Sequence, residues 1–87
     1  MEILKGKTKS GFEYEIPKKR LQNFELVEAI AEEETDPTAV VKVVHLLLDD
    51  KVAALKEHVR DKDGIVAVEA IGNELKDIFE SQKDLKN

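Results

Sequence analysis

The sequence has no cysteine and no tryptophan, and only one tyrosine, four glycines and two prolines among its 87 residues. Without cysteine there is no disulfide, no thiol nucleophile and no thiolate zinc site, a usage that fits a reducing cytoplasm. No apolar run approaches the ~20 residues that span a bilayer, and the N-terminal MEILKGK lacks the apolar stretch of a signal peptide, so a soluble intracellular protein with no membrane contact is expected. The glycine-rich phosphate loop, the dinucleotide fingerprint and the nucleophile elbow are all missing. His45 and His58, the only histidines, stand thirteen residues apart and form no metal-binding helical pair. Ser10 and Ser81 have no base beside them in sequence. A non-enzyme without cofactor or metal is the expectation.

Positive charge is also scarce where nucleic acid would need it. The net charge is −5, and the only basic run is Lys18-Lys19-Arg20. A nucleic-acid surface would call for a basic patch interleaved with aromatic or amide readers, so no nucleic-acid partner is expected. The charge is uneven: residues 1–22 carry six basic and three acidic side chains, whereas 23–36 carry six acidic and no basic ones.

One stretch resembles a ligand loop. In RDKDGIVAVEA, placing Gly64 at the sixth position of a calcium-binding loop puts Asp61 and Asp63 at ligand positions and Val66 at the apolar one. The same register puts Val59 at the first ligand position and Ala70 at the place of the bidentate glutamate. Two ligand positions therefore fail, and the stretch reads as a helix-to-helix turn whose glycine adopts positive φ.

What is present is alternating and helical patterning. Phe12, Tyr14 and Ile16 alternate with Glu13 and Glu15 at the period that buries one face of a strand. Ile3 and Leu4 with Lys5 and Lys7 supply the partner strand, and Thr8-Lys9-Ser10-Gly11 supplies the turn. Lysines on one strand would oppose glutamates on the other, and Pro17 should end the second strand because it cannot donate a ladder hydrogen bond. The period then changes. Asn23 reads as an N-cap, followed by Phe24, Leu26, Val27, Ile30 and Ala31 as an apolar stripe. Glu25, Glu28 and Glu32 lie three and four apart and repel one another, which invites a basic neighbour unless, as is the ordinary case, the face is simply solvated and tertiary packing overrides the repulsion.

Asp36-Pro37 is a strong helix start. The following TAVVKVVHLLL is apolar nearly all round, and an 87-residue fold is expected to have little room for a central helix. Val40, Val41, Val44, Leu47 and Leu48 are therefore the candidate protein-binding surface. A third helix is expected from Asp49 or Asp50, burying Val52, Leu55 and Val59, and a fourth from about Val68 to Ser81, burying Ile71, Leu75, Ile78 and Phe79. The fold class is α+β: an N-terminal β-hairpin over 1–17, a bundle of about four short helices over 23–81 and a frayed tail over 82–87, in one domain.

The order and spacing of KSGFEYEIPKKRLQNFELVEAIAE, TDPTAVVKVVHLLL, LKEHVRDKDGIVAV and ELKDIFES resemble the small tail assembly chaperones of long-tailed, siphovirus-type bacteriophages and prophages of Gram-positive bacteria. The matching stretches are Gly11–Ile16, Phe24–Glu28, Leu46–Leu48, Leu55–Arg60, Asp63-Gly64 and Leu75–Phe79. One departure is Asp49, where the family often has glycine. The resemblance implies a non-catalytic chaperone in the host cytoplasm, absent from the mature virion. It would coat the tape measure protein, keep it soluble and recruit tail tube protein, and a homo-oligomer is expected. The alternative is a small acidic regulatory or protein-interaction adaptor.

Overall fold

The structure, a computed structural model, describes residues 2–83. It has the expected α+β architecture: an N-terminal two-stranded antiparallel hairpin followed by helices. Strands β1 (Ile3–Lys7) and β2 (Glu13–Pro17) pair with Leu4 opposite Ile16, Lys5 opposite Glu15, Gly6 opposite Tyr14 and Lys7 opposite Glu13. Leu4, Tyr14 and Ile16 are buried on one face. The other face carries Lys5–Glu15 and Lys7–Glu13 pairs at 4.0 and 3.9 Å, too exposed to contribute more than about 1 kcal/mol each. Gly6 is required by packing: a Cβ there would lie 2.6 Å from Cζ of Tyr14, whose ring covers it. Pro17 is the last strand residue, as its missing N–H demands.

The basic run Lys18-Lys19-Arg20 opens a one-turn helix α1 (Lys18–Leu21). Arg20 explains the order: its guanidinium donates to the Leu47 carbonyl at 3.3 Å and to the Asp49 carboxylate at 3.4 Å. Helix α2 (Phe24–Glu33) starts where expected, with the Asn23 side chain accepting from the Glu25 N–H. Asp36 caps the next segment by accepting from the Thr38 N–H and hydroxyl, so that a 3₁₀ turn (Pro37–Ala39) runs into α3 (Val40–Leu48).

Helix α3 is central, contrary to the volume argument made from the sequence. The hairpin, α2, α4 (Val52–Val59) and α5 (Val68–Lys83) close around it with Ile16, Leu26, Leu55 and Ile78 essentially fully buried. Short elements leave room for one central helix because each neighbour contributes only two or three fully buried residues to the core. The expected inward sets of α4 and α5 are buried as read, with Val59 and Phe79 half-buried at the margin. Helix α5 continues through Lys83, so the first two residues of the expected frayed tail are helical, and 84–87 lie outside the described residues.

Among the described residues three positions use the positive-φ region: Gly11 in the hairpin turn, with φ 99°, Gly64 and Asp49. Gly64 has φ 83° in the α4–α5 connection, where Asp61 accepts from the N–H groups of Asp63 and Ile65 at 2.9 and 3.0 Å. Both bonds go to Asp61 Oδ1, so this side chain holds the turn together. Asp49, ending α3, has φ 49° and ψ −111°, a conformation that favours glycine.

Candidate interaction surface

Of the five residues expected to meet a partner, four belong to the chain's own core. Val40, Val44, Leu47 and Leu48 are no more than 5% exposed, and only Val41, at 56%, faces outward. The physical reason is the central position of α3: its buried faces are covered by the hairpin and by α2, α4 and α5 of the same chain. An aspartate at position 44 would therefore disrupt folding before it could report on binding.

Helix α2 is where exposed apolar surface collects. Its burial is not the stripe read from the sequence. Leu26, Ala29 and, partly, Ile30 face the core, whereas Phe24 is 71% and Val27 52% exposed and Ala31 is also outside. Residues 24, 27 and 31 fall at helical spacing on one side, about 10 Å from end to end at the helical rise. Glu25, Glu28 and Glu32 flank this ridge on one side and Glu34 on the other. Beyond the first three lies a groove of about 530 Å³ between α2 and α3, lined also by Ala29, Lys42, His45 and Leu46. The basic neighbour that the glutamates invited is Lys42, whose Nζ lies 3.2 Å from Glu32. Among the described residues it is the only cation within ion-pair distance of an α2 carboxylate. A second, smaller exposed pair, Ile65 and Val68, marks the start of α5.

The fold also gathers a polar cluster that linear inspection of Ser10 missed. Buried Glu74 of α5 accepts from the Thr8 hydroxyl at 2.7 Å and from the Ser10 hydroxyl at 2.8 Å. The His58 Nε2 atom lies 3.0 Å from the same Ser10 oxygen, and its ring sits 5.5 Å from that of Phe12. Donor counting fixes the roles. Each hydroxyl has one hydrogen and both go to Glu74, so His58 must donate through Nε2 to Ser10. An imidazole donating to the hydroxyl cannot remove its proton, and the carboxylate contacts the serine rather than orienting the histidine. The arrangement lacks the order of a nucleophilic triad. It anchors the hairpin turn to the helices, helped by the Lys9 N–H donating to Asp77 at 3.2 Å. A signal existed in the sequence: Glu74 falls in helical phase with Ile71 and Ile78, a lone carboxylate on an apolar face.

Two exposed carboxylates lie below their ordinary range. Hydrogen bonds from the Thr38 hydroxyl and N–H lower that of Asp36, and the Arg60 guanidinium, bonded to Glu57 at 2.6 and 3.0 Å, lowers that of Glu57. Both are structural: one caps a helix, and the other ties the end of α4 to the turn through an Arg60 bond to the Gly64 carbonyl at 2.8 Å. No helix among the described residues is long and apolar enough to cross a membrane.

A hairpin, a helical core and an exposed apolar ridge between acidic flanks make up a small α+β domain. Comparison with models of protein families, with curated proteins and with solved structures returns no match.

Proposed function

We propose that the chain is a non-catalytic assembly chaperone of the phage-tail type, which binds the tape measure protein in the host cytoplasm, keeps it soluble and recruits tail tube protein. The observation that carries this reading is the exposure of Phe24 and Val27. Both lie in Phe24–Glu28, one of the stretches that carry the resemblance, and within it only Leu26 is buried in the core. Apolar side chains left outside a core that has closed without them are the means by which a chaperone holds an apolar client. Asp49 adds support from a separate position. The family often has glycine there, and the backbone of this chain takes up a glycine-favouring conformation there.

Co-expression with the tape measure protein encoded in the same genome tests the reading. The soluble fraction of that protein after sedimentation should rise when the chain is present. An unchanged fraction would refute it. The nucleotide sequence near the end of the gene gives an independent check, because a slippery heptamer with an open second frame accompanies a frameshifted longer form in this family.

A further inference from the structure

We propose that the outer face of α2 is a docking site for an amphipathic helix of a partner protein whose apolar stripe is flanked by lysine or arginine. This rests on the reading of the chain as a protein-binding factor, though not on the identity of the client. Three features select the occupant. The ridge of Phe24, Val27 and Ala31 is straight and follows a helix axis, a shape that packs into the side-chain grooves of a second helix. Its largest members are the exposed aromatic Phe24 and the exposed Val27, the kind of side chains that dominate binding when a partner covers them. Its borders are acidic on both sides, with Glu25 and Glu28 on one and Glu34 on the other, all exposed and none within ion-pair distance of a cation among the described residues.

Charge also argues against a second copy of the same face. An α2–α2 contact would bring the two sets of glutamates together around an apolar strip too narrow to offset their repulsion. A basic-flanked helix satisfies both: its stripe covers Phe24 and Val27, and its cations answer carboxylates that have no ion-pair partner among the described residues. The complementary field also speeds encounter and weakens with salt.

The test uses the whole chain and designed peptides of equal length: a leucine-striped helix with lysine flanks, the same stripe with glutamate flanks, and a scramble of the first. Binding is read by fluorescence anisotropy, with folding of every variant checked by circular dichroism. The lysine-flanked peptide should bind, and the other two should not. The Phe24→Ala, Val27→Ala double variant should weaken binding at least tenfold. The Glu25→Lys, Glu28→Lys double variant should do the same and should reverse the peptide preference. Raising ionic strength to about 1 M, where the Debye length is about 3 Å, should weaken but not abolish binding, because the apolar contact persists.

Binding that ignores the alanine variant would overturn the proposal, since the peptide would then be held by charge alone. Loss of self-association in the same variant, seen by sedimentation, would also overturn it by assigning the ridge to a second copy. Solubilisation of the tape measure protein that survives the alanine variant would overturn the surface and leave the chaperone reading standing. Peptide binding of the stated pattern without any solubilisation would support the surface and refute the chaperone reading.

Discussion

Replacing Thr8 by valine should destabilise the fold more than the loss of one surface hydroxyl suggests, because Thr8 is 4% exposed and serves two partners. Its hydroxyl donates to Glu74 at 2.7 Å and accepts from the Phe12 N–H at 3.1 Å. Valine keeps the shape and removes both bonds. A hydrogen bond to a charged group contributes about 1.5–3 kcal/mol and a neutral one about 1, so Thr8→Val should cost about 2.5–4 kcal/mol. Glu74→Met should cost less, because it removes a buried carboxylate together with that carboxylate's desolvation penalty. The freed Thr8 hydrogen can then turn to the Ser10 oxygen 3.2 Å away. The double variant should be less destabilised than the sum of the two singles by about 1.5–3 kcal/mol, since the buried carboxylate oxygen that loses its Thr8 donor is then gone as well. Urea denaturation reads all three. With a slope of about 1 kcal/mol per molar, Thr8→Val should move the midpoint by about 2.5 M or more. The slope should stay constant if the denatured state is unchanged. Additive effects, or a Thr8→Val cost under about 0.5 kcal/mol, would refute the inference that Glu74 depends on the turn.

Other outcomes follow from single positions. Asp49→Gly should stabilise by up to about 1 kcal/mol in the same assay, the relief of about 1–3 kcal/mol of backbone strain exceeding the entropy of about 0.4–1 kcal/mol that glycine adds to the unfolded chain together with the exposed Arg20–Asp49 pair, worth at most about 1 kcal/mol, that is lost. Gly72→Ala should stabilise by about 0.5–1 kcal/mol, because a Cβ there meets nothing within 4 Å inside α5. Gly6→Ala should destabilise by about 1–3 kcal/mol, because it displaces the buried Tyr14 ring. Stability should also fall on acidification. Asp36 and Glu57 have folded values lowered from 3.8 and 4.5, so their contribution is present above those values and is lost as pH falls through the lower folded ones. Thermal melts of Asp36→Asn, which retains a capping oxygen but cannot titrate, should show a shallower acid slope than the parent, and an unchanged slope would refute the assignment.

The hairpin was legible because its signals were local and agreed: alternation of Phe12, Tyr14 and Ile16, turn residues from Thr8 to Gly11, and lysines placed to face glutamates. The caps at Asn23 and Asp36 were legible for the same reason, since a side chain two residues from the N–H it accepts needs no tertiary information. The α2 stripe was not. Phe24 and Val27 share helical spacing with Leu26 and Ile30, and periodicity identifies a helix without choosing which side of a broad apolar arc faces the core. That choice was made by α3, through contact with Leu26 and Ala29, and by the alanine's small volume. The Thr8–Glu74 link was invisible because sixty-six positions separate its partners.

The misreading of α3 and the candidate surface on α2 have one cause. A chain this short holds a fixed amount of apolar volume, and sequence alone does not say which of two apolar helices is enclosed. Once α3 takes the centre, its valines and leucines fill the space that Phe24 and Val27 could otherwise occupy, and those two are left outside. Enclosing the α3 residues is also the better choice energetically: β-branched valines lose little rotamer freedom on burial, and the α3 sequence is broken only by Lys42 and His45, which both point outward. Helix α2 carries five glutamates among its residues and the following cap, so it cannot be enclosed without burying charge. The same acidity that keeps α2 at the surface therefore determines what can cover its apolar ridge. A partner contributing only apolar area would leave the flanking carboxylates partly desolvated and unpaired, whereas one that adds cations at the edges of its stripe compensates them.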